Sequence, residues 1–317
     1  MALIYDLVVQ GAQMTLVLAL APAVLGYSRA VKARLLRRRG PPVLQPYRDL
    51  LKLMRKEVVI AENASWLFRS APYLIFVATW VAAALIPTFA QGLLFSWTAD
   101  LIAITALLGS ARFFLALVGM DVGTSFGGIG SSREALFATL EEPAMIMVVF
   151  TVALIAGSTQ LSIIASYMLG SDGIRVSLGL ALLALIIVAL AENARIPVDN
   201  PATHLELTMV HEAMILEYSG RHLAVIELAS ALKLTLYISL IACIFVPWGI
   251  APLGAGPVAW LLGAGVYLLK VFAGATLLVL FETSIAKMRV FRVPEFLGGA
   301  LMLGLLATLL LFVSRGL

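Results

Sequence analysis

Charged side chains recur inside the most apolar segments of this 317-residue sequence. A charge at the centre of a membrane costs at least about 2.5 kcal/mol, so such residues are usually paired or mark a pathway. Carboxylates and lysines in such surroundings can exchange protons near neutral pH. We interpret them as a proton or cation relay, with fixed ion pairs between helices as the alternative. The set comprises Arg112, Glu134, Glu141, Glu142, Glu192, Glu227, Lys233, Lys270 and Glu282.

The depth of these charges follows from the rise of about 1.5 Å per helical residue. Arg112 lies nine residues before Asp121, the cytoplasmic end of its apolar segment, and Glu141 lies nine residues after Ser132, the cytoplasmic start of the next segment. Both are therefore roughly 13 Å deep in the membrane. If these two segments form neighbouring antiparallel helices, Arg112 can therefore pair with either Glu141 or Glu142. Lys233 and Lys270 fall near mid-depth. The acids nearer the cytoplasmic ends are Glu134, Glu192, Glu227 and Glu282.

A polar stretch at residues 192–220, "ENARIPVDNPATHLELTMVHEAMILEYSG", contains five of the eighteen acids and two of the three histidines. Two prolines interrupt it, and its second half predicts a short helix that ends at Gly220. His204 and His211 are two helical turns apart, which is compatible with a metal site. Zinc sites usually need closer ligands and more of them, so we favour hydrogen-bonded histidines at an interface.

The elements that position these residues are membrane helices. Hydrophobic residues make up 62% of the chain, charged residues 13%, and the mean hydropathy is +1.02. About 20 apolar residues suffice for a helix to cross a membrane. The sequence predicts one all-α integral membrane domain, 1–317, with about eight transmembrane helices. They lie near 5–27, 71–95, 98–120, 132–157, 175–192, 223–248, 256–282 and 295–314.

The basic residues are distributed unevenly among the loops. Eleven of the twenty-two Lys and Arg lie in residues 28–70, and the second and sixth loops contain none. The positive-inside bias predicts that the odd-numbered loops face the cytoplasm, and eight spans then place both termini outside. We expect a multi-pass protein of the inner (plasma) membrane. This distribution explains the net charge of +4 without a nucleic-acid partner. The predicted cytoplasmic loops are 28–70, 121–131, 193–222 and 283–294.

The first loop also contains an amphipathic pattern, "GPPVLQPYRDLLKLMRKEVV". Its apolar residues recur at helical spacing and its basic residues take the other side, which predicts a helix in the cytoplasmic interface. This helix either binds lipid headgroups or docks a soluble partner. In the third loop, Ser131 and Glu134 fit a capping box that starts the fourth span.

Four motifs resemble one known family: "RRRGPPVLQPYRDLLKL", "SREALFATLEEP", "AENARIPVD" with "LELTMVHEAMILEYSG", and "LFETSIAKMR". They resemble the membrane subunit of formate hydrogenlyase and related energy-converting nickel-iron hydrogenases, which is homologous to the complex I subunit that closes the quinone cavity. The resemblance implies an anchor that joins a cytoplasmic redox module to antiporter-like membrane subunits. Matching family acids are Glu134, Glu142, Glu192, Asp199, Glu206, Glu217 and Glu282.

Depth, spacing and resemblance together define two sets of site residues. The predicted ion path comprises Glu134, Glu141, Glu142, Glu192, Glu206, Glu217, Glu227, Lys233, Lys270 and Glu282. The predicted interface with the redox partner comprises Arg37, Arg38, Arg39, Arg48, Arg195 and Asp199.

Electron carriers are expected in partner subunits and not in this chain. Its only cysteine is Cys243, and it contains no nucleotide-binding fingerprint. The resemblance implies partners that hold the nickel-iron centre and iron-sulfur clusters: the hydrogenase large and small subunits and an iron-sulfur electron-transfer subunit. A complex I quinone-site subunit is the alternative, although the residues around Pro197 depart from that pattern. A stand-alone secondary transporter is a further alternative.

Overall fold

A computed structural model of the protein describes residues 2–92, 95, 97–170, 175–195, 210–252, 254–284 and 292–316. The described chain is helical apart from two isolated β-bridges, Ala90 with Ala251 and Asp100 with Gln160. The helices are α1 (Ala2–Leu35), α2 (Gln45–Met54), α3 (Trp66–Leu85), α4 (Leu101–Asp121), α5 (Ser125–Ala156), α6 (Leu161–Leu169), α7 (Val176–Glu192), α8 (His211–Ile215), α9 (Gly220–Phe245), α10 (Pro257–Ser284) and α11 (Val293–Gly316).

The prediction of an all-α integral membrane protein is confirmed. Each of the eight apolar segments contains a helix, and seven of these helices are long and apolar enough to cross a membrane. The eighth, α7, has 17 residues and ends at the buried Glu192. The amphipathic pattern of the first loop is also helical, as α2.

Helix α9 lies at the centre of the bundle. It packs against α1, α2, α3, α6, α7 and α10, and it is the most buried of the long apolar helices. A second group is formed by α4, α5, α7 and α11, with α5 in contact with the other three. The buried charged residues of α4, α5 and α7 lie where these two groups meet, and Glu192 of α7 pairs there with Lys233 of α9.

The start of α5 differs from the sequence prediction. The sequence predicts a glycine-rich loop at residues 121–131, but the helix begins at Ser125. The Oγ1 of Thr124 caps it by accepting the Gly127 N–H at 3.3 Å, so the predicted capping box of Ser131 and Glu134 is wrong. The small side chains of this segment permit two extra helical turns to pack closely against α4, where the Ser131 hydroxyl donates to the Ala116 carbonyl at 2.8 Å.

The loop boundaries also differ in the first and fifth loops, because α1 continues to Leu35 and α9 begins at Gly220. Gly220 has φ +54 and lies so close to the first loop that a Cβ would approach the Glu57 carbonyl oxygen at 2.5 Å. It therefore starts α9, whereas the sequence predicts it at the end of the short helix. The hydroxyl of Ser219 joins the same two loops by donating to the Val59 carbonyl at 2.9 Å.

Candidate functional site

Arg112 on α4 is the centre of a buried charge cluster. Its Nε lies 3.0 Å from Glu134 Oε1 and its Nη2 lies 2.6 Å from Glu141 Oε2, while Nη2 also contacts Glu192 Oε1. The Arg112 side chain is only 4% exposed. One guanidinium therefore contacts carboxylates from two helices, α5 and α7, as its planar fork of donors permits.

Two further basic groups border this cluster. Lys233 Nζ on α9 lies 2.5 Å from Glu192 Oε2, and His211 Nε2 on α8 lies 3.6 Å from Glu134 Oε2. We define the central cluster as Arg112, Glu134, Glu141, Glu192, Lys233 and His211. Its three carboxylates face Arg112 and Lys233, so the positive and negative charges balance when the cluster holds one additional proton.

Helix geometry explains why these side chains meet. Glu134 and Glu141 are seven residues apart, two turns, so they lie on the same face of α5. Glu192 is the last residue of α7, where the chain turns back: Ala194 adopts φ +51 and the Arg195 N–H donates to the Leu190 carbonyl at 2.9 Å. This terminal turn points Glu192 and Arg195 to different partners.

A second group surrounds Glu282, near the end of α10. Its Oε1 lies 2.5 Å from Lys32 Nζ on α1, and its Oε2 accepts from Arg195 Nη1 at 3.2 Å. We call these three residues the Glu282 triad. Burial lowers the pKa of the Arg195 guanidinium, and the adjacent Glu282 carboxylate opposes that shift. The triad ties α1, the chain after α7 and the end of α10 together.

A cavity of about 530 Å³ touches both groups. Its charged lining includes Arg112, Glu192 and Lys233 from the central cluster and all three members of the Glu282 triad. Glu227 and Asp49 also reach it, and apolar side chains of α1, α2, α3, α4, α8 and α9 complete the wall. The cavity therefore gives the two groups a shared polar space.

The other predicted path residues lie apart from the central cluster. Glu142 is exposed on the outside of α5, about one hundred degrees of helix rotation from Glu141, and Glu217 is also exposed. Glu227 is half-buried in the cavity wall. Lys270 donates to the Val246 carbonyl at 2.6 Å, at the opposite end of α9 from the cavity. Glu206 lies outside the described residues.

The predicted interface residues are also divided. Arg37, Arg38 and Arg39 are exposed just after α1, and Arg48 is exposed on α2. The Arg195 side chain is only 12% exposed, because it pairs with Glu282 inside the protein. Asp199 lies outside the described residues, as do His204 and Pro197.

The sequence predicts that Arg112 pairs with Glu141 or Glu142, and the structure pairs it with Glu141. Two other residues of the site are not predicted for it. In the sequence Lys32 counts only among the loop cations, although it lies in the last turn of α1, where its side chain reaches the buried Glu282. The sequence favours His211 for an interface over a metal site, and the structure places it beside Glu134. Within the described ranges, no group of three or more potential ligands is arranged to hold a metal ion.

Comparisons with known proteins give a consistent result. Residues 9–313 match the NADH dehydrogenase family. Formate hydrogenlyase subunit 4 of Escherichia coli strain K12 is 33% identical over 93% of this chain and 94% of that protein. Hydrogenase-4 component C of the same strain is 36% identical over 75% of each chain. An NADH-quinone oxidoreductase subunit of Salinibacter ruber is 30% identical over 80% of this chain and 74% of that protein.

One solved structure extends the similarity to the whole fold. A chain of the membrane-bound sulfane sulfur reductase, an archaeal respiratory membrane complex, matches with a TM-score of 0.83. The match covers 98% of this chain and 99% of that chain, at 20% sequence identity. It therefore shows a common fold, while the relatives above show common ancestry.

Proposed function

Because this chain belongs to the NADH dehydrogenase family, we propose that it is the membrane anchor and coupling subunit of a multisubunit membrane-bound hydrogenase. In this role it links redox chemistry in a cytoplasmic module to the movement of protons or sodium ions. Two relatives support the hydrogenase assignment by their names, formate hydrogenlyase subunit 4 and hydrogenase-4 component C.

The central cluster is the observation on which the coupling role rests. Fixed ion pairs that only hold helices together need equal numbers of positive and negative groups. Here three carboxylates face Arg112, Lys233 and His211, so the charges balance when the carboxylates and His211 together hold one additional proton, which we propose is the mobile one. Burial makes an unbalanced charge costly, which keeps that proton bound until a neighbouring charge changes.

Two shared carboxylates supply the steps by which the charge would move. Glu192 divides its oxygens between Arg112 and Lys233, and Glu134 divides its oxygens between Arg112 and His211. Glu141 Oε1 is buried without a hydrogen-bond partner among the described residues, and groups of this kind usually bond to ordered water. A change of charge in the cavity would change the groups with which these carboxylates pair. The central cluster would then release or accept the proton.

The Glu282 triad and the cavity connect this cluster to the redox side. We propose that the loops containing residues 28–70 and 193–222 face the cytoplasm, as the distribution of basic residues predicts. The exposed Arg37, Arg38 and Arg39 then contact the redox module, together with Asp199. The proposed partners are the hydrogenase large and small subunits with their nickel-iron centre, an iron-sulfur subunit with its clusters, and antiporter-like membrane subunits.

The test uses the assembled complex in sealed vesicles. Hydrogenase turnover and ion uptake are measured together for the native complex and for Glu192→Gln. We expect ion movement per turnover to fall by about a hundredfold, the usual loss when a proton-transfer group is removed. Native ion movement per turnover in Glu192→Gln would contradict the coupling role of this cluster.

Two controls separate coupling from folding and assembly. Glu62→Gln removes one exposed acid outside the proposed path, and it should leave both rates unchanged. Co-purification of the partner subunits with each variant reports assembly. A purified chain that moves ions without any partner would support the secondary transporter in place of the coupling subunit.

A quinone-site subunit of a complex I-like enzyme is the second candidate, and the cavity is the observation that favours it. Its volume lies within the range of small-molecule sites, and its wall combines apolar side chains with a few charged ones. The experiment measures whether a short-chain quinone protects the cavity residues of the purified complex from chemical labelling. Protection would favour the quinone-site subunit, and its absence would favour the hydrogenase subunit.

A further inference from the structure

Helix α2 lies beside the apolar part of α1. The chain just before α2 crosses α1 at Gly26, where a Cβ would collide with the Val43 carbonyl oxygen. The Tyr47 hydroxyl donates to the Ala19 carbonyl, further along α1. Ala19 and Gly26 both precede Arg29, the first basic residue of α1. The N-terminal half of α2 therefore lies at the depth where the hydrocarbon layer meets the headgroups.

The outward face of α2 has two edges of different chemistry. Leu44, Leu51 and Met54 line one edge and are 59%, 59% and 47% exposed. At 3.6 residues per turn, Arg48, Lys52 and Arg55 fall on the adjacent edge, and all three are exposed. An exposed apolar edge next to a basic one is the pattern of a helix that lies in a membrane surface.

The acid of this segment does not neutralise the basic edge. Asp49 lies on the cavity side of α2 and accepts from Gln45 Nε2 at 2.8 Å. Within the described part of the chain, no ion pair joins Arg48, Lys52 or Arg55 to an acid. The basic edge is thus available to anionic groups outside the protein.

We propose that the outward face of α2 binds the headgroups of anionic phospholipids, with Leu44, Leu51 and Met54 in the acyl region and Arg48, Lys52 and Arg55 on the phosphates. The depth of α2 favours lipid over a soluble protein, because a soluble partner would have to displace lipid from the exposed leucines. This site is separate from the coupling role, and it assigns Arg48 to lipid and not to the redox module.

The first measurement places a nitroxide label on the full chain at Leu51→Cys, in vesicles that contain phosphatidylglycerol and phosphatidylcholine. The one native cysteine, Cys243, is buried. We expect the label to collide with oxygen and to be protected from a water-soluble nickel chelate. Glu62→Cys, in an exposed loop, is the matched control, and its label should meet the chelate.

The alternatives give different results in the same measurement. Access to the chelate would mean that α2 faces water, and protection from both probes when the labelled chain is reconstituted with its partners would mean that a protein covers α2. Either result overturns the proposal. Because the label reports depth directly, this test remains informative even where a charge-removing variant fails to fold.

The second measurement compares two triple variants of equal charge. Arg48→Gln with Lys52→Gln and Arg55→Gln should lower the preference for phosphatidylglycerol over phosphatidylcholine by about a hundredfold, about fivefold for each residue. The same change at Arg37, Arg38 and Arg39 should lower it by less, since these residues precede α2 and do not belong to its outward face. Equal losses in the two variants would overturn the proposal.

Discussion

Replacing Arg112 with methionine removes the group that holds three carboxylates in the centre of the protein. The Arg112 side chain is 4% exposed, and its guanidinium lies 2.6 Å from Glu141 and 3.0 Å from Glu134. Removing one partner of a buried ion pair typically costs 3 to 5 kcal/mol, because the remaining charge is left without compensation, so we expect a loss of about 4 kcal/mol of unfolding free energy. The free energy is measured by unfolding in mixed detergent micelles.

A second variant tests whether this cost comes from charge or from lost packing. Arg112→Met combined with Glu141→Gln removes one cation and one acid, so Lys233 and the two remaining carboxylates are balanced by one proton, as in the native cluster. The double variant should therefore recover about 1 to 3 kcal/mol relative to Arg112→Met alone. A double variant that is no more stable than Arg112→Met would refute the reasoning, as would a loss below about 1 kcal/mol for Arg112→Met.

Two further predictions concern backbone positions. Ala194 has φ +51, which costs a non-glycine residue about 1 kcal/mol, so Ala194→Gly should raise the thermal midpoint, whereas Ala191→Gly, inside α7, should lower it. Gly26→Ala should lower the midpoint, because its Cβ would collide with the Val43 carbonyl oxygen. Gly11→Ala, in the same helix with open space around it, should leave the midpoint unchanged or raise it slightly. A lower thermal midpoint for Ala194→Gly than for Ala191→Gly would contradict the described backbone. So would a lower midpoint for Gly11→Ala than for Gly26→Ala.

The apolar segments of the sequence are sufficient to predict the seven long apolar helices and the shorter α7. A run of about 20 apolar residues has few alternatives to a membrane helix, since every backbone group must be paired within the segment. The same reasoning does not find α6, because Leu161–Leu169 is too short to cross a membrane. Its buried residues Leu161, Ile164 and Ala165 do follow a helical pattern, which is present in the sequence.

The site is predicted less completely, for a geometric reason. Glu141 and Glu142 are adjacent in sequence, and only the rotation of α5 decides which one faces Arg112. That rotation depends on how α5 packs against α4 and α11, which the sequence does not state. The resemblance favours Glu142, and Glu141 and Glu142 lie at nearly the same depth. The structure pairs Glu141 with Arg112.

The Glu282 triad makes this side of the bundle sensitive to the concentration of dissolved salt. Its two cations differ in their contact with water, since the side chain of Lys32 is 45% exposed and that of Arg195 is 12% exposed. Dissolved ions screen exposed pairs far more than enclosed ones. Rising ionic strength therefore weakens the link between α1 and α10 first and leaves the link through Arg195 intact, so concentrated salt loosens this side of the bundle one helix at a time.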